Sequence, residues 1–455
     1  MQTLKFLFLA ICLSAILDPL AAVAKARKFT MASGQTIEAE VVDVKSGYVT
    51  LRMDGKKFGR SLKEFSPDAR RYFRAWLRIQ RGQFDWPSER GYGSNGTTEE
   101  SLSAGEPTVL WKAEVGAGHA VVVVDGQAAY TTGMRGGEFA SLALRLTSGR
   151  EIWKKSHKVK TGTAGEAVAS PVIDAETGLL CTLGPGGRID ARKLADGQNV
   201  WANELQVKFP DATLPVGGVF GSPVIGSHLY VEIGGPSYSL VGLAPSNGVQ
   251  AWHIGKHRSL GVTPVIAQIG PRKLVLSRND YGLVARRVET GTMAWDQVWQ
   301  GKGRASPVQV GDDHVFVSAE KECAMFRVDG DRTVEVWSNS SLCHPFSTPI
   351  YHDGFLYGFN GGALSCIDIE SGEATWSNKD FGDGNLILAG DQLLIVTRRS
   401  GEFVVVAADP KRFTELSRTK VFDGESRTIP VLASGKVFCR NAAGQVTCLE
   451  MRGKE

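Results

Sequence analysis

The 455-residue sequence predicts an all-β fold: an eight-bladed β-propeller of four-stranded blades, preceded by a small N-terminal β-barrel. Three observations predict it. One phrase recurs along the chain, a second short element recurs between its copies, and the two ends of the repeat array are complementary fragments.

The recurring phrase is clearest in "GGALSCIDIESGEATW", which ends at Trp376. It reads as a strand, an acidic turn containing Gly, and a second strand that carries a tryptophan. Relatives end at Trp153, Trp201, Trp252, Trp295 and Trp337, and a copy with Leu416 in the tryptophan's place follows. The spacing is roughly 40–50 residues, the length of a four-stranded propeller blade. Between the tryptophans lie "SPV" at Ser170, Ser222 and Ser306, "TPV" at Thr263, "TPI" at Thr348 and "IPV" at Ile429, each leading into an apolar strand. That places a Ser or Thr near the start of the innermost strand, around a polar channel.

The ends complete the ring. The last unit, "VTCLEMRGKE", stops before its fourth strand, whereas "VLWKAEV" around Trp111 is a fourth strand with nothing before it. Pairing the two closes the ring and removes its exposed edges. The count is eight blades over 109–455, or seven if one weak unit is not a blade. The tryptophans Trp111, Trp153, Trp201, Trp252, Trp295, Trp337 and Trp376 are read as packing between blades, not as a ligand cage.

Residues 25–81 form a separate module. Polar and apolar residues alternate from Arg27 onward, with hairpin turns at "KSG" and "MDGK". A helix follows, with Ser66 as N-cap and Pro67 at its first position. Phe73, Trp76 and Leu77 share one helical face and suit a barrel core. Arg70, Arg71, Arg74 and Arg78 crowd the remainder and offer a contact to an anionic envelope or membrane surface. Basic residues outnumber acidic ones by more than two to one in this module, and the rest of the chain is mildly acidic around a total of +4. Residues 82–108 are rich in Gly, Ser and Glu and read as a flexible linker.

Residues 1–24 read as an export signal: Lys5, the apolar run "FLFLAICLSAIL", and "AVA" as the cleavage site after Ala24. The expected location is the periplasm or the exterior. Cysteines beyond the signal (Cys181, Cys323, Cys343, Cys366, Cys439 and Cys448) show no disulfide framework and read as small buried residues, with Cys439 and Cys448 flanking one hairpin turn.

Signals of chemistry are few. His253 and His257 have the spacing of a helical zinc site, but Gly255 and a preceding strand pattern argue against one. Cys343–His344 stands without partners in sequence, and "VDGDRT" at Val328–Thr333 is a blade turn lacking the downstream ligands of a calcium loop. No catalytic, cofactor-binding or metal-ligating residue is assigned, and nothing points to nucleic acid.

The Asp–Ser/Thr–Gly–Trp phrase with its "SPV" strands resembles the PQQ-like propeller repeat, best carried by "SCIDIESGEATW". The resemblance implies one of two roles. The family includes quinoprotein alcohol and sugar dehydrogenases, which use pyrroloquinoline quinone with calcium, a vicinal cysteine disulfide and an Asp base. It also includes non-catalytic BamB-like members acting in envelope protein assembly. This sequence has no adjacent cysteine pair and no long insertions between blades, so the favoured expectation is a non-catalytic scaffold for protein or peptide partners. The front, "RKFTMASGQTIEAEVVDVKSGYVTLRMDGK" with "SLKEFSPDARRY", resembles a Sla homology domain of the first type. That implies an SH3-like barrel and peptide or protein binding.

Overall fold

The computed structural model describes residues 26–45, 47–80, 84–102, 105–159, 169–215 and 221–452. The export signal expected at 1–24 lies outside them. Nearly all regular structure is antiparallel β.

The N-terminal module is a meander of β1 (Arg27–Thr30), β2 (Thr36–Lys45), β3 (Tyr48–Met53) and β4 (Lys56–Ser61), paired in that order. Asp54 and Gly55 both take positive φ, the twist that suits a two-residue hairpin between β3 and β4. A 3₁₀ turn over Leu62–Glu64 is held by a capping box from Ser61 and Glu64. The chain then returns to β1, where Met31 bridges Phe65 and Ser66 N–H donates to Thr30 O at 2.9 Å. Helix α1 (Pro67–Gln80) starts at the expected proline, and Ser66 Oγ accepts Ala69 N–H at 3.3 Å. Phe73 and Trp76 of α1 are buried with Phe29, Val41, Val49, Leu51 and Phe65 in the module's own core.

Among the described residues, eight sheets of four strands follow the N-terminal module, one of them extended by a fifth strand. Seven are built from consecutive strands. The eighth takes three strands from 431–452 and its outer strand from β6 (Glu106–Glu114), which the linker segment precedes. In it Cys448 faces Trp111, so the expected pairing of "VLWKAEV" with the last unit is present in register. First strands of successive sheets lie side by side, as Val172–Asp174 does with Val224–Ile225, so the sheets radiate from a common axis as a β-propeller.

The repeated phrases now have physical jobs. Each outer-strand tryptophan lies on the turn of the next sheet. The indole N–H of Trp111, Trp153, Trp201 and Trp337 donates to Leu146, Leu194, Pro245 and Ile369 O at 3.0, 2.9, 2.7 and 2.8 Å. Each acceptor sits three residues before a turn glycine at positive φ, and a Cβ on that glycine (Gly149, Gly197, Gly248 or Gly372) would enter the indole. Trp376 bonds Asp409 O at 2.8 Å. Trp252 also lies on such a glycine, Gly291, yet the matching carbonyl, Val288 O, is taken by Tyr230 OH at 2.9 Å. The next turn after Trp295 is a shorter two-residue hairpin whose Gly330 does not meet the indole, and among the described residues the indole N–H has no partner. Leu416 faces the sheet closed by β6, where the third-to-fourth turn does not exist, so no docking site for an indole is present there.

Residues 84–102, expected as a flexible linker, are packed on the propeller instead. Trp86 is buried and bridges Val124, Pro87 O accepts Ile173 N–H at 2.8 Å, and β5 (Thr97–Thr98) runs parallel to Gly384–Ala389 as the fifth strand of the seventh sheet. A tryptophan, an arginine and three carboxylates within a Gly/Ser-rich composition supply the anchors that composition alone conceals.

Candidate functional site

The sheets' inner strands surround an axial cavity of about 210 Å³. Its wall includes Ser170, Ser222 and Thr263 of the "SPV" and "TPV" elements, and the hydroxyls of the series bind from one sheet to the next. Ser170 Oγ accepts Val121 N–H at 3.1 Å, Ser222 Oγ accepts Ser170 N–H at 2.8 Å, and Thr263 Oγ1 accepts Ser222 N–H at 2.9 Å. Ser306 Oγ donates to Thr263 O at 2.9 Å, and Thr348 Oγ1 accepts Ser306 N–H at 2.9 Å. The repeated hydroxyl therefore stitches sheet to sheet near the axis. These groups are buried, where an unmade hydrogen bond costs most.

The packed segment enters this cavity. Glu89 lines it and accepts the Thr263 hydroxyl at 2.7 Å, while the buried Arg90 donates to Pro349 O at 3.2 Å. Asp85 accepts Gly126 N–H at 2.7 Å, and Glu100 accepts Gly435 N–H. We call 84–102 the strap. Burial pushes the Glu100 carboxyl up to about 7, against the pull of the Gly435 amide.

The opposite wall is charged. His344 Nε2 lies 2.9 Å from Asp383 Oδ1, and its Nδ1 accepts Phe346 and Ser347 N–H at 3.1 and 2.7 Å, which fixes the proton on Nε2. Arg398 pairs with Asp383 at 3.1 Å and Glu425 at 2.6 Å, and Arg427 pairs with Glu425 at 3.1 Å. His119 is held neutral: burial, then Arg427 and Arg440, bring it down to about 4. Among the described residues, Arg440 is buried without a carboxylate partner. It donates to Ala120 O, Thr132 O and Thr131 Oγ1 at 2.6–2.8 Å and to Gly116 O at 2.9 Å, joining the eighth sheet to the first.

The sequence pointed to the serines and threonines of this wall and noticed His344, but it missed Glu89, His119, Arg304, Asp383, Arg398 and Arg427. Glu89, His119, Asp383 and Arg398 stand on connections outside the repeated phrases, and Arg304 and Arg427 precede "SPV" and "IPV" elements at positions where the other units carry no arginine. The four arginines of α1 lie elsewhere. Arg70 Nε donates to Glu176 at 2.8 Å, Arg71 pairs with Asp174 at 3.1 Å and donates to Gly226 O, and Arg74 donates to Ala175 O at 3.0 Å. The expectation of an anionic-surface contact is thus corrected for these three: they tie the N-terminal module to the propeller. The side chain of Arg78 lies outside the described residues.

His253 and His257 do not converge. His253 meets Gln250 at 3.0 Å, and His257 stacks on Tyr281. Among the described residues no group of three or more His, Cys, Asp or Glu is placed to hold a metal ion. The described cysteines are free and buried, and Cys439 and Cys448 occupy adjacent register positions, so they face opposite sides of their hairpin. Glu89 lines the cavity, and Asp383 in its wall is engaged by His344 and Arg398.

No helix among the described residues is long and apolar enough to cross a membrane. No curated protein matches the sequence. Among solved structures, BamB from Moraxella catarrhalis superposes with a TM-score of 0.58 at 16% identity, over 76% of this chain and 100% of that one. The computationally designed Ika8 protein superposes with 0.53 at 11% identity, over 78% and 99%. A quinohemoprotein alcohol dehydrogenase from Comamonas testosteroni reaches 0.42 at 13% identity, over 82% of each chain. The first two likenesses show the fold. Residues 101–253 and 238–455 match the family described as Outer membrane protein assembly factor BamB, and over that span the chain belongs to this family.

Proposed function

We propose that the protein is a non-catalytic scaffold of the bacterial envelope, an eight-bladed propeller that presents a rigid surface to protein partners in outer-membrane protein assembly. Membership of the BamB family supports the partner class and the envelope location. The observation that carries the non-catalytic part is the Glu89–Thr263 hydrogen bond, which places the chain's own strap in the axial cavity and leaves the outer strands as the accessible surface. Those strands expose Val109, Ile152, Val200, Met293, Val336 and Leu416, apolar side chains spread around the rim, as a protein-binding surface would have. The N-terminal module, read as an SH3-like Sla homology domain, adds a second surface for peptide or protein binding.

The test is cross-linking of the exported protein in its native envelope, with a photoreactive residue at Val336. Defined cross-links to envelope proteins that vanish with Ile152→Glu support the reading. Cross-links indifferent to the substitution oppose it. The second reading, a pyrroloquinoline-quinone-dependent alcohol or sugar dehydrogenase, is supported by the propeller repeat. Tight, stoichiometric quenching of tryptophan fluorescence by the quinone with calcium, followed by dye reduction with simple alcohols, would establish it in place of the scaffold.

A further inference from the structure

Cys323 opens the third strand of the fifth sheet, Cys323–Asp329, and Cys343 lies in the connection from that sheet to the sixth. Their thiols are neighbours, and each perturbs the ionisation of the other. Both also approach one main-chain oxygen, Asn339 O, at 3.5 Å from Cys323 and 3.8 Å from Cys343. They share one apolar cluster with Phe316, Met325, Leu342 and Leu356. The other described cysteines are arranged differently: Cys181 and Cys366 sit in separate clusters, and Cys439 and Cys448 face opposite sides of a hairpin.

The contact also sets reactivity. The Cys343 thiol beside Cys323 holds Cys323 below its ordinary value against the effect of burial, and the same contact pushes Cys343 up. One thiol that ionises more readily, in contact with a second that can resolve a mixed disulfide, is the arrangement that thiol–disulfide exchange requires.

Cys343 is directly followed by His344, which stands on the wall of the axial cavity. No covalent link holds that segment: Cys343 N–H donates to Asn360 Oδ1 at 3.2 Å and His344 N–H to Ser318 Oγ at 3.0 Å, beside the apolar cluster and the His344–Asp383 pair. We propose that Cys323 and Cys343 form a reversible disulfide that clamps the His344 segment at the axial cavity. A small or protein disulfide is the oxidant. One cysteine thiolate attacks it and releases a first thiol. The second cysteine then attacks the mixed disulfide and releases the other. Two electrons and two protons pass from the pair to the two departing thiols, and one S–S bond is exchanged for another.

The experiment equilibrates the folded full chain, purified reduced, with oxidised and reduced glutathione across a range of ratios. It then alkylates free thiols and maps the peptides so that Cys343 is separated from Cys366. The expected result is one internal disulfide, Cys323–Cys343, with the other described cysteines alkylated. Amide hydrogen exchange at Phe346 and Ser347 should slow by about tenfold on oxidation, because both donate to His344 Nδ1. The proposal is overturned if both thiols stay free at ratios that oxidise ordinary structural pairs, if another pair forms, or if exchange at Phe346 and Ser347 is unchanged. Cys343→Ser should abolish the crosslink and the slowing. Should it fail to fold, Cys323→Ala gives the same reading from the other partner, and Cys366→Ala should leave the crosslink in place.

Discussion

Glu89 and Thr263 are 174 residues apart in sequence, yet the Thr263 hydroxyl donates to the Glu89 carboxylate at 2.7 Å inside the axial cavity. The same threonine accepts Ser222 N–H through that oxygen and Ser306 Oγ–H through its carbonyl. One side chain thus serves both the ring and the strap that crosses it. Thr263→Val keeps the shape and removes the donor and acceptor. It should cost about 2–3 kcal/mol, since a charge-assisted and a neutral hydrogen bond are lost together. Glu89→Gln should cost less and loosen only the strap. Denaturant titration with limited proteolysis at 84–102 separates the two: cutting within the strap should rise in both variants, and global stability should fall mainly in Thr263→Val.

The strap is also pH-dependent through Glu100. Its carboxyl lies at about 7 when packed against Gly435, above its ordinary 4.5, with Asp85 opposing and Lys436 favouring the charged form. The packed state therefore binds a proton that the free state has released. Docking is strongest below about pH 4.5, weakens as the pH rises to about 7, and levels off above, a change on the order of 3 kcal/mol. Hydrogen exchange of the 84–102 amides at pH 5 and pH 8 checks it. Faster intrinsic-corrected exchange at pH 8 is expected, and Glu100→Gln should remove most of the difference.

The tryptophan-on-glycine contacts predict a graded series. Trp201→Ala should cost about 3–5 kcal/mol for a large buried ring. Trp201→Phe should cost about 1–2 kcal/mol, leaving Pro245 O without its donor. Gly372→Ala combines positive φ with a Cβ directed into Trp337, so it should destabilise by more than the ordinary cost of alanine at that φ alone. Leu416→Trp should bring no gain, because the neighbouring sheet has no turn to receive it. Urea midpoints at constant slope test the whole set.

Asp174 is the fixed partner of the N-terminal module. Its carboxylate is buried, pairs with Arg71 at 3.1 Å and accepts Thr177 Oγ1–H at 2.7 Å. Asp174→Ala leaves Arg71 without its counter-charge and should free the module while both domains stay folded. Small-angle scattering should then show a larger radius of gyration. An unchanged radius would mean that Arg70 and Arg74 suffice to hold it.

What was legible in the sequence was whatever the fold repeats. The Asp–Gly–Trp phrase marks the turn and indole of each blade because the same steric problem, a flat ring against a backbone, is solved again and again. The Trp111 strand was readable because its unpaired state was visible at both ends of the array. The cavity was not readable. His119, Arg304, Asp383 and Arg398 each occur once and meet only through the closed ring. The strap was misread because its anchors, Trp86, Arg90 and Glu100, are isolated residues within a Gly/Ser-rich stretch, and their partners Val124, Pro349 and Gly435 are far away in sequence. The arginines of α1 were read as a surface patch for the same reason: Asp174 and Glu176 sit in another domain.

The closure between β6 and 445–452 has a kinetic consequence. As the chain emerges, its first propeller strand must wait, hydrogen-bonding groups unsatisfied, until the last strand has appeared. The ring is sealed in a single late event of very high contact order, so folding can be assembled sheet by sheet only up to that point. Until then two open edges coexist on one molecule, each the natural complement of the other. In a crowded compartment the end of one copy can meet the beginning of another. Such an exchange would yield paired or chained rings without altering a single native contact.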